Sequence, residues 1–462
     1  MDPTEIAFAG AAQQVRMLAA GAITAPDLLT LYLERIARLD PELNGFRVVL
    51  TREARTQAQE AQRRLDAGER MPLLGVPIAV KDDIDVAGQV TARGTGTHGP
   101  APEQDAEVVR RLRAAGAVVV GKTNVPEMTI WPFTETLTFG ATRNPWDPSR
   151  SPGGSSGGMG AAVAAGLVGI GLGSDGGGSI RIPGTWCGLF GLKPQRDRVP
   201  TTPNEDACQG LTVYGPLTRT VEDAALFLDA TATTPGPDGG FVAAAGREPG
   251  RLRIAISTKV PPGVLARPGS AQRAAVQEAS ALLRGLGHTV VLRDPDYPAS
   301  AGAHFTSRFV RGVTDEVARL PHPERLETRT RALAHLGSLI DDERIASIRA
   351  GEAALTGRVM ALFDDIDVLV TPGTARGPSR IGAYQRRGAL ATLAAAMTRV
   401  PYQGIFNVTG QPAAVVPWGL DGDGLPMSVQ LVSRPSDEAT LLSLCAQVEQ
   451  ARPWANRRPP IS

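Results

Sequence analysis

The stretch from residue 150 to 200 is rich in glycine and serine without becoming polar, which constrains the fold more than any other part of the chain. Paired glycines flank Ser155 and Ser156 on both sides, and three consecutive glycines separate Asp175 from Ser179. Glycine permits backbone conformations and close contacts that other residues forbid, so these runs indicate tight turns inside a packed core. The pattern predicts a helix over 157–168, a strand over 168–173 and another helix near 179.

Short apolar strands alternate with helices along the rest of the chain. The segments LLGVPIAVKD and AVVVGKT are typical of short buried strands, and Thr24 with Asp27 predicts the start of a helix. This alternation predicts an α/β protein with a largely buried sheet. Further helices are predicted at 28–40, 52–67, 105–115, 271–286, 338–364 and 437–450. We expect a single domain over 1–462, with a core at about 70–220, a variable region at about 232–380 that opens with a linker or excursion at 232–250, and C-terminal strands and a helix in 381–462.

Composition excludes several classes of protein. The balance of 48 Lys and Arg against 47 Asp and Glu argues against a nucleic-acid binder. The most apolar stretch, 160–173, is too short to span a bilayer, and the N-terminus lacks the pattern of an export signal. We therefore expect a cytoplasmic protein that does not bind membranes. The sequence does not determine the oligomeric state, for which a monomer or a homodimer is the expectation. The cysteines lack metal-ligand spacing, so we expect inert thiols and no metal site: Cys187, Cys208 and Cys445.

Two nucleotide-binding patterns occur, but their contexts argue against that function. Gly116–Thr123 matches the P-loop pattern, yet its middle residues are AVVV, which favour the strand itself and not a phosphate-binding loop. Gly171, Gly173 and Gly176 match G-x-G-x-x-G, but Asp175 would then sit in the phosphate turn and repel the ligand.

A third pattern, Gly153, Ser155 and Gly157, matches the G-x-S-x-G nucleophile elbow. The preceding run DPSRSPGG forms turns, whereas the elbow requires a strand directly before the serine. No histidine stands in an obvious catalytic context, so a Ser-His-Asp hydrolase remains only as an alternative. The histidines are His98, His288, His304, His322 and His335.

Lysine is scarce, and its positions are informative. Only four of the 48 basic residues are lysine, and three of those four lie between residues 81 and 193. Arginine stays charged, whereas lysine can lose its proton when it is buried. Lys81 follows the apolar strand Val76–Val80, which would desolvate its amine, lower its pKa and allow it to act as a base. The four are Lys81, Lys122, Lys193 and Lys259.

Three features together predict serine-based catalysis. They are the desolvated Lys81, the glycine-flanked Ser155 with Ser156, and Asp175 followed by three glycines and Ser179. Several N–H groups before a serine can hold an oxyanion beside a nucleophile. A lysine base in place of histidine is a recognised route to serine activation.

These residues resemble the amidase signature family over most of the chain. The matching segments are GVPIAVKDDIDV (75–86), GAVVVGKTN (116–124), GATRNPWDPSRSPGGSSGG (140–158), GSDGGGSIRIPGTWCGLFGLKP (173–194) and NVTGQPAAVVPWG (407–419). The resemblance implies the amidase signature fold, with a large mixed central β-sheet covered by helices on both faces.

The resemblance also implies a role for each residue of a Ser-Ser-Lys triad. Ser179 would be the nucleophile, Ser155 the bridging serine with a cis peptide bond, and Lys81 the base. The implied oxyanion hole consists of the N–H groups of Gly176, Gly177, Gly178 and Ser179, and the loop would be braced by Ser156, Asp175 and Arg181. Lys122 and Lys193 would brace the site, whereas Lys259 receives no role.

The implied reaction is cleavage of a carboxylic amide through an acyl-enzyme, with no metal or organic cofactor and with a small-molecule amide as substrate. Met128, Trp131 and Phe133 fall in the segment that lines the acyl side of the family's pocket, which favours an apolar or aryl acyl group, although a core role is an equal alternative. Ester, anilide or carbamate (urethane) cleavage is expected as side activity.

A partner-dependent glutamyl-tRNA amidotransferase subunit is the other open alternative. Two departures from the family's usual pattern argue against it: Gln195–Arg198 replaces the usual continuation of GLKP, and the family's Thr-Glu-Asn is here Thr134-Glu135-Thr136. The near-neutral charge gives no support to tRNA binding.

Overall fold

Eleven β-strands form one mixed sheet in the computed structural model, which describes residues 2–462. The strands of that part of the chain are β1 (Phe46–Val49), β2 (Pro77–Lys81), β3 (Val118–Thr123), β4 (Glu135–Thr136), β5 (Gly140–Ala141), β6 (Ile170–Asp175), β7 (Phe190–Lys193), β8 (Val213–Thr218), β9 (Arg253–Ile256), β10 (Thr289–Leu292), β11 (Val368–Pro372), β12 (Ala413–Leu420) and β13 (Pro426–Ser433). Their order in the sheet is β1-β3-β2-β6-β8-β7-β12-β13-β11-β9-β10, while β4 and β5 pair with each other.

The helices precede, connect and cover these strands. They are α1 (Pro3–Phe8), α2 (Ala11–Ala19), α3 (Ala25–Leu43), α4 (Thr51–Asp66), α5 (Glu107–Ala114), α6 (Gly157–Ala164), α7 (Arg181–Cys187), α8 (Ala207–Gly210), α9 (Val221–Thr231), α10 (Gly240–Ala245), α11 (Ser270–Gly285), α12 (Ala301–Val317), α13 (Thr328–Ser338), α14 (Asp342–Ala350), α15 (Glu352–Met360), α16 (Ala389–Met397), α17 (Gly404–Thr409) and α18 (Glu438–Ala451).

Both faces of the sheet are buried, as near-continuous apolar strands predict. Successive side chains of a strand point to opposite faces, and in β2 Ile78 and Val80 join one apolar cluster while Ala79 joins another. The same alternation recurs at the far end of the sheet, where Val368 and Leu369 of β11 belong to different clusters. The α/β class predicted from the sequence is therefore confirmed, with helices packed on both faces.

Local sequence signals locate several element ends correctly. Helix α3 begins at Ala25, because the Thr24 side chain accepts a hydrogen bond from the Asp27 N–H at 3.2 Å. The AVVV segment of the P-loop-like motif is strand, since β3 covers Val118–Thr123.

Two predicted helices are wrong in extent. Over 338–364 the structure has α14, α15 and a short 3-10 helix, because Gly351 interrupts the run and the Asp341 side chain starts α14 by accepting from the Arg344 N–H. Helix α6 ends at Ala164 and not at 168, because Gly166 adopts φ +66°, outside the helical region.

The segment 232–250, predicted as a linker or excursion, packs onto the body of the protein. It contains α10, whose Phe241 is buried in the apolar cluster that covers one face of the sheet. The Asp229 side chain accepts a hydrogen bond from the Phe241 N–H at 2.6 Å. The following region, to residue 380, contributes β9, β10 and β11 to the same sheet.

Candidate active site

Lys81 and Asp175 lie at the same edge of the sheet because they end neighbouring parallel strands. Strands β2 and β6 pair in parallel, with Val80 opposite Leu172. The carboxyl ends of parallel strands meet at one edge, where ligand sites of α/β proteins commonly lie. The topology therefore brings the lysine of one segment to the Gly-rich turn of another.

The Lys81 amine is fully buried among oxygen atoms. Its Nζ atom lies 2.7 Å from Ser155 Oγ, 2.6 Å from Ser174 Oγ and 3.2 Å from Asp83 Oδ2. Ser174 in turn donates to Asp83 Oδ2 at 2.6 Å. The contact of Ser174 was not predicted, because nothing in the sequence indicates that its side chain faces a lysine 93 residues away.

Burial lowers the pKa of Lys81, and the Asp83 carboxylate only partly opposes this effect. A lowered pKa increases the fraction of neutral amine at physiological pH. The neutral amine has a lone pair, so it can accept a proton from Ser155 Oγ.

Ser155 lies in a tight turn whose backbone packs closely against neighbouring backbone because the preceding residue, Gly154, has no side chain. The peptide bond between Gly154 and Ser155 is cis. A Cβ atom at Gly154 would lie 2.3 Å from the carbonyl oxygen of Trp131, which is impossible for any other residue. The next residue, Ser156, donates from Oγ to the Ser174 carbonyl at 3.2 Å and thereby ties this turn to β6.

Asp175 organises the Gly-rich loop before Ser179. Its carboxylate accepts hydrogen bonds from the N–H groups of Gly178 at 2.6 Å and Ile180 at 3.2 Å, and from Arg181 Nε at 2.9 Å. Burial alone would raise the pKa of Asp175, but the Arg181 guanidinium holds it well below the usual range. The loop is thus held by a buried carboxylate that stays charged.

This network contradicts one member of the predicted oxyanion hole. The Gly178 N–H is already donated to Asp175, so it is not free for a substrate oxygen. Within residues 2–462, the N–H groups of Gly176, Gly177 and Ser179 have no protein acceptor. The prediction failed because the run of three glycines shows how many N–H groups are present but not where each one points.

Ser155 and Ser179 line the same cavity, together with Gly176 and Gly177. No hydrogen bond joins the two serine hydroxyls among the described residues. Hydrogen bonds between catalytic groups are often long in ligand-free structures and shorten when substrate binds. The cavity has a volume of about 110 Å³ and a mostly apolar wall beside Ser179.

Two of the three residues predicted to line the substrate pocket face this cavity. Met128 and Trp131 are among its lining residues, whereas Phe133 is not. Phe133 is buried behind the wall, where its ring stacks on Tyr384 at 4.5 Å between ring centres and on Trp131 at 5.8 Å. Met128 has φ +52°, a left-handed conformation that is strained for a residue with a side chain.

One face of helix α12 forms a further wall that was not predicted from the sequence. The residues of this face recur at helical spacing, so they lie on one side of the helix. The apolar periodicity of 301–317 could have indicated such a face, but not that it borders a cavity. They are Phe305, Phe309, Gly312, Val313 and Glu316.

The amines of the other three lysines also contact oxygen atoms. Lys122 Nζ lies 3.1 Å from Asp82 Oδ1 and donates to Thr91 Oγ1 at 2.7 Å. Lys193 Nζ donates to the carbonyl oxygens of Pro194 at 2.8 Å and Gly410 at 3.3 Å. Lys259 lies outside the site, with its Nζ donating to the Pro295 carbonyl at 3.1 Å.

The described residues do not support a Ser-His-Asp arrangement. None of the histidines lines the cavity that contains the two serines. His288 bonds instead to Gln447, with 2.8 Å between Nε2 and Oε1. Across residues 2–462, no group of three or more His, Cys, Asp or Glu side chains is arranged to hold a metal ion. In the same residues, no helix has the length and apolar character needed to cross a membrane.

Comparison with known proteins identifies the family of this chain. The family model described as Amidase matches residues 27–442. The Mycobacterium tuberculosis protein named "Putative amidase AmiB2" is 66% identical over 462 residues, which is 100% of both chains. The solved structure of 6-aminohexanoate cyclic dimer hydrolase has a TM-score of 0.86 at 30% identity, covering 98% of this chain and 99% of that one. A bacterial aryl acylamidase of the amidase signature family has a TM-score of 0.84 at 26% identity, covering 97% and 98%.

The matched region contains both glycine-flanked serines and Lys81 and spans most of the sheet. The chain therefore belongs to the amidase signature family and is a hydrolase of amide bonds.

Proposed function

We propose that this enzyme cleaves small apolar or aryl amides through a serine acyl-enzyme, with Lys81, Ser155 and Ser179 as its catalytic residues. The observation that carries the proposal is the 2.7 Å contact between the buried Lys81 Nζ and Ser155 Oγ, beside a cavity that Ser179 also lines.

The proposed reaction transfers protons between Lys81, Ser155 and Ser179. Neutral Lys81 takes the proton of Ser155, which takes the proton of Ser179 as the Ser179 Oγ attacks the amide carbonyl carbon. The free N–H groups of Gly176, Gly177 and Ser179 stabilise the resulting oxyanion. When the C–N bond breaks, the proton returns from Lys81 through Ser155 to the leaving amine. Water then attacks the acyl-enzyme ester, releases the acid and restores Ser179.

The walls of the cavity support an apolar acyl or aryl group. Its lining includes Met128, Ile130 and Trp131 from one segment and Phe309 and Val313 from helix α12. An aryl acylamidase is among the structural neighbours, in agreement with this substrate class. An ester has a more reactive carbonyl and gives the same acyl-enzyme, whereas a carbamate attacked in the same way leaves a carbamoyl or alkoxycarbonyl group on the serine. We therefore also propose side activity on esters and carbamates.

Chromogenic anilides test the proposal. The purified chain is expected to hydrolyse a nitroanilide without ATP or a partner protein, whereas an obligate amidotransferase subunit would not. Ser179→Ala and Lys81→Arg should each lower kcat by about 10⁴-fold or more, because the relay then lacks its nucleophile or its proton acceptor. Lys259→Arg is the matched control and should keep full activity, since its ammonium lies outside the cavity.

Two results would overturn the proposal. Full hydrolytic activity of Ser179→Ala would show that Ser179 is not the nucleophile. Activity of Lys81→Arg near neutral pH would remove the proton-acceptor role, because arginine stays protonated in proteins.

A further inference from the structure

A second cavity, which we call the outer chamber, lies directly against the catalytic cavity. Phe305, Leu393 and Met397 line both. The outer chamber has a volume of about 670 Å³, against about 110 Å³ for the catalytic cavity. Sites for small molecules usually measure about 300–1,000 Å³, so the catalytic cavity alone is small for a whole ligand. The outer chamber lies within that range and supplies the volume that the catalytic cavity lacks.

Phe305 lines both cavities and packs against the loop that precedes Ser179. A Cβ atom built at Gly177 would lie 2.6 Å from its Cζ, and one built at Gly404 would lie 2.9 Å from its ring. The ring therefore packs on bare backbone on both sides. It also stacks on Phe309, with 5.6 Å between ring centres. The ring thus lies where the lining of the catalytic cavity meets that of the outer chamber.

The outer chamber is suited to an apolar group. Its lining contains no charged side chain, so a charged ligand would find no ion-pair partner there. An uncharged, apolar ligand group is therefore favoured. Leu265 and Leu390 line it and are nevertheless 98% and 64% exposed. Most large apolar side chains of this protein are buried, and two exposed ones at a single opening indicate a surface that binds apolar material.

We propose that the outer chamber binds the long apolar tail of an amide whose carbonyl group reacts at Ser179, and that the tail reaches it past Phe305. The occupant is identified by continuity: the chamber shares three side chains with the catalytic cavity, and one of them packs on the loop before Ser179. This inference rests on the proposed function and narrows its substrate class to amides with a long chain on one side of the scissile bond.

Two substrate series test which side carries the tail. One is a set of nitroanilides of unbranched acids from butyryl to dodecanoyl, and the other is a set of N-alkyl benzamides over the same lengths. In one of the two series, kcat/KM should rise by about fourfold for each methylene group that enters the chamber.

Two exposed alanines of helix α16 provide a matched pair of variants. Ala394 lines the outer chamber and Ala391 does not, while both lie on the surface of the same helix. Ala394→Trp should fill the chamber and lower the ratio of long-chain to short-chain kcat/KM by about tenfold or more. Ala391→Trp should leave that ratio at the wild-type value.

The outcomes separate this inference from the proposed function. If short amides are cleaved in a Ser179-dependent manner but neither series responds to chain length, the outer chamber is not a tail site and the catalytic proposal stands. An equal effect of the two tryptophan variants would also overturn the inference. Calorimetry of the Ser179→Ala protein with a ten-carbon member of each series, the decanoyl anilide and N-decyl benzamide, measures tail binding without turnover, and for one of the two it should show binding that Ala394→Trp weakens. Absence of binding by both ligands refutes the inference independently of catalysis.

Discussion

Replacing Arg181 by Met would remove the cation that neutralises the buried Asp175 carboxylate. The guanidinium donates two hydrogen bonds of 2.9 Å to the two oxygens of Asp175. It also donates to Asn407 Oδ1 at 2.6 Å, to Gln430 Oε1 at 2.9 Å and to the Gln403 carbonyl at 3.1 Å. All five N–H groups of the side chain are thus used, and Met can replace none of them.

The expected loss of folding stability follows from the burial of both side chains. Both side chains are 0% exposed, and breaking a fully buried ion pair by removing one partner costs about 3–5 kcal/mol. Unfolding entropy of about 2.1 cal/mol/K per residue gives about 1 kcal/mol/K for this chain. Arg181→Met should therefore lower Tm by about 3–5 °C, and it should also lower kcat because the loop before Ser179 loses its anchor.

Calorimetric unfolding at neutral pH measures the effect. The surface pair Arg16–Glu222 is the control, since its side chains are 54% and 41% exposed. Arg16→Met should shift Tm by less than about 1 °C, because exposed ion pairs contribute about 0–1 kcal/mol.

A double-mutant cycle decides whether the reasoning holds. In Asp175→Asn/Arg181→Met no buried charge is left without its partner, so the double variant should lose less stability than the sum of the two single variants. Additive losses would show that the two side chains act independently, and Arg181 would then not stabilise the loop through the charge of Asp175.

Three further predictions concern the environment of the lysine and a buried acid. Asp83→Asn removes a negative charge that raises the pKa of Lys81, so the acid limb of the kcat/KM–pH profile should move to lower pH; an unmoved limb would contradict the assignment of that limb to Lys81. Ser174→Ala deletes one of the hydrogen bonds at Lys81 Nζ and should lower kcat about tenfold with little change in KM. Initial rates measured over a range of nitroanilide concentrations give the two constants separately. Burial raises the pKa of Glu449 to about 8, so its contribution to stability is full below the unfolded pKa and is lost as pH rises through about 8. Urea unfolding of Glu449→Gln should therefore show a smaller loss of stability between pH 5 and about 9 than the wild type shows.

Features encoded in contiguous residues were predictable from the sequence. Burial of the strand before Lys81, the cap at Thr24 and the tight turns around Ser155 all follow from local apolar pattern and glycine content. The helix predicted over 338–364 was wrong for an equally local reason, because Gly351 divides it into α14 and α15.

The amino-acid sequence by itself determined which reactive side chains the chain contains. It also determined which of them lie in buried, glycine-rich segments. Only the tertiary structure decided which of these groups meet. It placed Ser174 against Lys81, directed the Gly178 N–H to the Asp175 carboxylate, and packed Phe305 on Gly177 where it lines two cavities. The physical reason is that strand order and helix packing bring together residues far apart in the chain, whereas propensity and periodicity act only between near neighbours.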